Sequence, residues 1–342
     1  MLIALWILAA AASLLLAGFL YQSIAGWRDR RLYAGTGRSV TLGNGSSLYL
    51  LEEGSGDPTV LFEAGFAATN LNWRHIQQAV ARFTGTASYD RCGLGWSSPS
   101  RTSRVPANIA VELHELLERA GIAPPYILVG HSFGGLVMRR YALLYPEEVS
   151  GVVLVDPMRC EEWPPLDPAK ESQLDLGKRL IGYAVPIAHC GIARLALTSL
   201  FCGSGKLSGK LSSAAGASAR HVLGRIKTEV GKMPREVWPV VVAHWSSPAF
   251  YSGVRSYLEA IPASVEEMDS AAPIREIPVL VLTPGRSTPL DEERLNRIGD
   301  RVQQIIAPAS EHWIHLDQPD LVVDTIRDMV MAATPASVAA AG

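Results

Sequence analysis

The chain opens on one unbroken apolar stretch and then changes to short alternating blocks. Leu2 to Ala25 carries no charged side chain and is dominated by Leu, Ala, Ile and Phe. It is apolar on every helical face, whereas a core helix has one polar side. Beyond Arg31 the period shortens. "RSVTLG" and "SSLYLLEEG" read as a hairpin, with Gly43-Asn44-Gly45 as the turn. Pro58 to Gly65, "PTVLFEAG", is a continuous apolar run, as expected of a strand covered on both faces. "NWRHIQQAVARF" has helical period, "TASYD" is a short strand ending at Asp90, and "ANIAVELHELLERAGI" is an amphipathic helix stopped by Gly121. A strand at Tyr126–Val129, a helix after Ser132 and a strand at Gly151–Asp156 follow. Strand and helix alternating in this way predict an α/β protein with a parallel sheet and crossover helices.

The alternation stops after Asp156. From Met158 to about Ile274 the chain holds prolines, small residues and amphipathic stretches such as "ARHVLGRIKTEV", with no clear strand. It resumes with "IPVLVLT" (Ile277 to Thr283), a helix near Asp291–Ile298, the strand "RVQQIIA" and a last helix "PDLVVDTIRDMVMAA". A helical segment therefore interrupts one sheet, and a lid over the sheet's C-terminal edge is expected, where open α/β sheets place their ligands. The expected division is an anchor over residues 1–30, a core over 38–158 and 275–335, and a helical lid over 159–274.

Composition narrows the partners. The chain has 342 residues, 19% charged, with a formal net charge of -2. No basic block or stripe is present, so nucleic acid is not an expected partner. Cys92, Cys160, Cys190 and Cys202 lack CxxC spacing, so no metal site is expected, and no cofactor is called for. A Cys190–Cys202 bridge is the alternative to free thiols if the chain meets an oxidising compartment. The N-terminal run is long enough to span a bilayer. A cleaved signal peptide, the rival reading, wants basic residues before its apolar core and a small-x-small site after it. No Lys or Arg precedes the run and no clear small-x-small site ends it before Trp27, so a single uncleaved membrane helix is expected. Arg28, Arg30 and Arg31 then place the following domain on the cytoplasmic side by the positive-inside rule. A cleaved signal would instead give an exported protein.

The stretch with chemistry in it is "YILVGHSFGGLVMRRYALLYP". G-x-S-x-G between an apolar strand and a helix is the nucleophile elbow, in which a sharp turn exposes the serine and aims a helix N-terminus at the reacting oxygen. Gly130 and Gly134 flank Ser132 because strand and helix pack closely there. A serine needs a base, and in this architecture the order is Ser, acid, His. Only His312 and His315 lie late enough, in "SEHWIHLDQP". His312 is the preferred base, and His315, nearer the last helix, reads as structural. For the acid, Asp156 closes a strand at the C-terminal edge, whereas Asp291 stands at a helix start where it can be an N-cap. Asp156 is preferred, Asp291 is the alternative, and Glu161, Glu162 and Glu311 stand further out. The oxyanion hole requires backbone N–H groups, for which Phe133 and Phe66 are the candidates, with Gly65 letting the backbone approach. Gly65, His131 and Trp96 are expected to border the substrate. Asn70 and Trp73 read equally as pocket lining or as a helix cap and a core aromatic.

Taken together, "VLFEAGFAATNLNW", "YDRCGLGWSS", "YILVGHSFGGLVMRRYALLYPEEVSGVVLVDP" and "SEHWIHLDQPDLV" resemble the α/β-hydrolase superfamily, in particular its bacterial, lidded, membrane-anchored members. The resemblance covers Val40 to Val330 apart from the helical segment. It implies a mostly parallel eight-stranded sheet with helices on both faces and a lid inserted after strand six. It also implies Ser132 as nucleophile, His312 as base, and Phe66 with Phe133 as oxyanion donors. Asp90, Gly93, Gly95 and Ser97 would shape the loop beside the site. Two departures stand out: Thr288 occupies the place of a common acid, which shifts weight to Asp156, and the first oxyanion motif reads Glu63-Ala64-Gly65-Phe66.

The expected function is a serine hydrolase that cleaves an ester or related acyl substrate through an acyl-enzyme, resembling a carboxylesterase for hydrophobic small molecules or lipids. Epoxide hydrolases and dehalogenases use an aspartate at the elbow and are disfavoured by Ser132. A lactonase, thioesterase, peptidase or acyltransferase would use the same three side chains. A non-catalytic binding or scaffold protein on this fold is the reading from another class.

Overall fold

The computed structural model describes residues 1–35, 37–160, 168–201 and 228–334. Cys202, Glu161 and Glu162 lie outside the described residues, and so do the expected Cys190–Cys202 bridge and most of "ARHVLGRIKTEV". The chain divides into two compact units. One joins Met1–Thr36 to Ser172–Arg255, and the other joins Gly37–Glu171 to Ser256–Gly342.

The second unit is built on an eight-stranded sheet in the order β1-β2-β4-β3-β5-β6-β7-β8. The strands are β1 (Arg38–Thr41), β2 (Ser47–Glu53), β3 (Thr59–Glu63), β4 (Thr86–Asp90), β5 (Tyr126–His131), β6 (Val149–Val155), β7 (Val279–Pro284) and β8 (Val302–Ala307). β2 runs antiparallel to β1 and β4, and every pair from β4 to β8 is parallel. This is the expected mostly parallel sheet of eight strands. The first hairpin turns where the glycines predict it, with Gly45 at φ 79°.

The apolar runs of β5 and β6 are covered on both sides, which is why they lack a polar alternation. Leu128, Val152 and Leu154 pack on one face, against Leu113, Leu116 and Leu117 of α3 (Pro106–Ala120) and Met138 and Tyr141 of α4 (Phe133–Leu144). Ile127, Val129, Val153 and Val155 enter the other face, beside Trp73, Ile76 and Val80 around α2 (Arg74–Val80), and Val322, Ile326 and Met329 of the last helix, Pro319–Ala333. The period of two along each strand thus sends successive side chains into two separate cores. α3 ends at Gly121, which takes φ 75° as its left-handed cap.

Among the described residues, no strand lies between β6 and β7. That stretch holds helices at Pro168–His189 (α5) and Ile192–Phe201 (α6), followed by Trp238–Trp245 and Pro248–Asp269. In the first unit, α1 (Leu2–Tyr33) runs for 32 residues and is, among the described residues, the one helix long and apolar enough to cross a membrane unaided.

Candidate active site

Ser132 sits between the end of β5 and the start of α4, with φ 52° and ψ −119°. A side chain at positive φ is strained, and such strain concentrates at functional sites. The neighbouring glycines are forced by contact. A Cβ on Gly130 would stand 2.6 Å from the Gly134 carbonyl oxygen, and one on Gly134 would stand 2.6 Å from the Ala64 and Glu63 oxygens. The turn is held from both sides: Ser132 N donates to Val155 O at 3.1 Å, and Met158 N donates to Ser132 O at 3.1 Å.

Asp156 follows β6 directly, also at positive φ, 39°. Its Oδ2 lies 2.7 Å from His312 Nδ1. Since an ionised carboxylate only accepts, Nδ1 carries a proton, which in the neutral ring leaves the lone pair on Nε2. Asp291 is elsewhere employed: it caps the helix Glu292–Ile298 by accepting from Arg294 N at 2.9 Å. Thr288 gives its carbonyl to Arg159 Nη2, and Glu311 pairs with Arg286 on the surface.

The His312 loop rests on a stack of aromatic rings. His131 is 1% exposed, and its ring centroid lies 4.6 Å from His312, 4.9 Å from Trp313 and 4.6 Å from His315. Its Nε2 is 2.9 Å from the carbonyl oxygen of His312. Burial, with His315 and His312 beside it, holds this imidazole well below its usual pKa. His131 is therefore neutral and donates from Nε2 to that carbonyl. It props up the His312 backbone from beneath, which differs from the expected position at the substrate. Trp73 is fully buried, 5.2 Å from Phe62 and 4.5 Å from His315, so it is a core aromatic.

The loop after β3 is fixed by a buried ion pair. Arg91 Nη1 donates to Glu63 Oε1 at 2.7 Å and to Ala64 O at 2.6 Å, while Nη2 donates to Gly65 O at 2.5 Å. Tyr89 donates its hydroxyl to the other oxygen of Glu63. Burial pushes the Glu63 carboxyl up, and Arg91 and Tyr89 oppose that rise. Both partners of the pair are about 1% exposed. The guanidinium also lies 5.3 Å from the Phe133 ring centroid and 5.0 Å from that of Tyr257. Neither Arg91 nor Tyr257 is singled out by a local motif; the pairing of Glu63 with Arg91 is made between strand ends that only the sheet order brings together.

Gly65 lies against the serine turn, since an added Cβ would stand 2.7 Å from His131 Nδ1 and 3.5 Å from Ser132 Cβ. Phe133 opens α4, where first-turn N–H groups have no partner within their own helix. Phe66 and Phe133 meet edge to face at 6.4 Å. Beside them, Asp90 accepts from Asn70 N and Trp96 N, both at 3.0 Å, so Asn70 and Trp96 are tied to this loop through their backbones. No cluster of three or more metal-ligating side chains occurs among the described residues.

The sheet order, the strand-to-helix turn at Ser132 and the loops around it coincide with a family match. Residues 58–180 match the model of the alpha/beta hydrolase fold. The chain has the α/β-hydrolase fold. Over 87% of this chain and 99% of the other, it superposes on the epoxide hydrolase CorEH with a TM-score of 0.64 at 17% identity, a likeness of fold. Over 105 residues it is 34% identical to the uncharacterized protein YqjL of Bacillus subtilis (strain 168), covering 31% of this chain and 42% of YqjL. The chain thus spans less than half the length of that relative. A longer match, 24% identical over 82% of this chain and 83% of the other, is to the sn-1-specific diacylglycerol lipase ABHD11 of Mus musculus.

Proposed function

We propose that this chain is a serine hydrolase of esters or related acyl compounds, with Ser132 as nucleophile, His312 as base and Asp156 as the acid. The observation that carries the reading is the 2.7 Å contact between His312 Nδ1 and Asp156, in a fold that sets Ser132 on a strained strand-to-helix turn. In this mechanism His312 Nε2 takes the Ser132 proton as Oγ attacks the acyl carbon. The carbonyl oxygen becomes an oxyanion held by the N–H groups of Phe66 and Phe133. The leaving alcohol departs with the proton from His312, leaving an acyl-serine. Water then attacks that ester with the same base, releasing the acid and restoring Ser132. Serine in place of an elbow aspartate separates this chemistry from that named for the epoxide hydrolase of similar fold.

In the same reading the helical insertion between β6 and β7 is the lid. The same reading takes a hydrophobic acyl group as the substrate part, in keeping with a relative named as a diacylglycerol lipase. α1 is the membrane anchor, with the catalytic unit cytoplasmic. A fluorophosphonate probe should label the wild-type chain and p-nitrophenyl esters should be turned over. Ser132→Ala should abolish labelling and lower turnover by on the order of 10³ or more. An alanine variant with undiminished turnover would remove the serine mechanism, and failure of the wild type to label would favour a binding protein.

A further inference from the structure

We propose that the α5–α6 turn is a second membrane-embedded element, a re-entrant hairpin that enters the lipid leaflet around the Gly18–Ala25 end of α1. The inference rests on the reading of α1 as a bilayer anchor and adds a second contact to it. Between Leu180 and Phe201 the sole permanently charged side chain is Arg194. The two helices meet at an angle of 93° across the short break at Cys190 and Gly191, and together they are apolar and long enough to pass as a broken span. Leu176, Leu180, Tyr183 and Ile187 follow one another at spacings of four, three and four, so they form a single stripe along α5. All four are exposed, as are Ile192 and Leu195 on α6, with Tyr183 at 69%. An ordinary surface helix turns this kind of stripe inward.

The contact with α1 gives the depth. A Cβ on Gly18 would stand 2.4 Å from the Cys190 carbonyl oxygen, and one on Gly191 would stand 2.7 Å from Tyr21 Cδ1. The rings of Phe19 and His189 stack at 6.2 Å. The turn is thus seated on α1 between Gly18 and Tyr21. Gly18 precedes Ala25, the end of the uncharged run, by two turns of helix, or about 10 Å at 1.5 Å per residue. If the run Leu2–Ala25 occupies the hydrocarbon, the turn that touches Gly18 is below the lipid surface.

The polar groups in this stretch are neutralised where they stand. Arg194 Nε donates to Gln22 Oε1 at 2.9 Å, and its guanidinium pairs with Asp29. Gln22 Nε2 in turn donates to Ser246 O at 3.0 Å. Arg194, Gln22 and Asp29 are all buried. A charge taken into lipid needs such pairing. The same contacts favour retention of α1, because cleavage near Ala25 would strip Arg194 of Gln22.

The occupant of the exposed face is lipid rather than protein. A partner groove covers one side of a helix, but the most apolar stretch of α1 is exposed on every side, and the α5–α6 turn is seated on that helix at Gly18. Acyl chains solvate such a surface all round.

The full-length chain, reconstituted into phosphatidylcholine vesicles, can be photolysed with a lipid-dissolved aryl-diazirine carbene probe, digested and mapped by mass spectrometry. Peptides from α1 and from Leu180–Leu195 should both carry label, several-fold above the Pro106–Ala120 peptide. Ile187→Glu should lower labelling of the α5–α6 peptide and leave that of α1. Label on α1 without label on α5–α6 overturns the hairpin and leaves the anchor standing. Label on neither overturns the anchor, and the hairpin with it.

Discussion

Arg91 Nη2 grips the carbonyl oxygen of Gly65 at 2.5 Å from within a wholly buried pair with Glu63. The peptide from Gly65 to Phe66 is trans, so its C=O and N–H point in opposite directions. Fixing that oxygen therefore fixes the aim of the Phe66 N–H, away from the guanidinium. Arg91 thus orients one candidate oxyanion donor and packs on the ring of the other, Phe133.

Arg91→Lys should keep a charge beside Glu63 but lose the fork that holds Ala64 and Gly65 together. Turnover of a p-nitrophenyl ester should fall by about 10- to 100-fold, short of the roughly 10²- to 10³-fold cost of losing one oxyanion donor outright, with KM little changed. Arg91→Met leaves the Glu63 carboxyl buried and unpaired, and should destabilise the fold by about 3–5 kcal/mol. A lysine variant of normal kcat would mean that Arg91 only holds the core.

Asp156 and Asp291 can be separated by two different readouts. Asp156→Asn should reduce kcat by about 10²–10⁴, because the carboxylate fixes the His312 tautomer and stabilises the imidazolium that forms. Asp291→Ala should leave kcat unchanged and cost about 1 kcal/mol in urea denaturation, the usual loss for an N-cap. The opposite pair of results would move the acid to the loop after β7.

The sheet and the Ser132 turn were legible in the sequence because each rests on local pattern. An apolar run, two glycines and a helical period sit within a single stretch from Tyr126 to Leu144. The role of Glu63 was not legible. Its partner lies two strand-ends away in sequence and becomes a neighbour only because β3 and β4 pair in parallel. His131 was misplaced for a related reason. Next to a nucleophile it suggested substrate contact, but alternation along β5 turns its side chain under His312. The partnership of Arg194 with Gln22 and Asp29 joins segments far apart in the chain, and neither periodicity nor composition announces it.

Asp90 gives a test of the loop in pH. Its carboxyl is fully buried at the end of β4, accepting from Asn70 N and Trp96 N. Burial pushes it up to about 6, even though those two N–H bonds and Arg91 pull the other way. The unfolded chain titrates near the ordinary aspartate value of about 3.9. Between about pH 4 and 6 the native state therefore binds more protons here than the unfolded state, and this group's contribution to stability falls as pH rises through that window. Below it both states are protonated and above it both are ionised, so the slope vanishes at each end. Asp90→Asn removes the titration but keeps the volume, which matters because a Cβ on Gly95 would stand 2.0 Å from the Asp90 carboxylate. Urea denaturation of both forms in detergent, from pH 4 to 7, reads the effect, since carboxylates that do not interact with Asp90 cancel in the difference. Wild-type minus variant stability should decline from pH 4 to 6 and level off above it. A difference that stays flat or rises would mean that the two backbone N–H bonds outweigh burial and that Asp90 is ionised throughout.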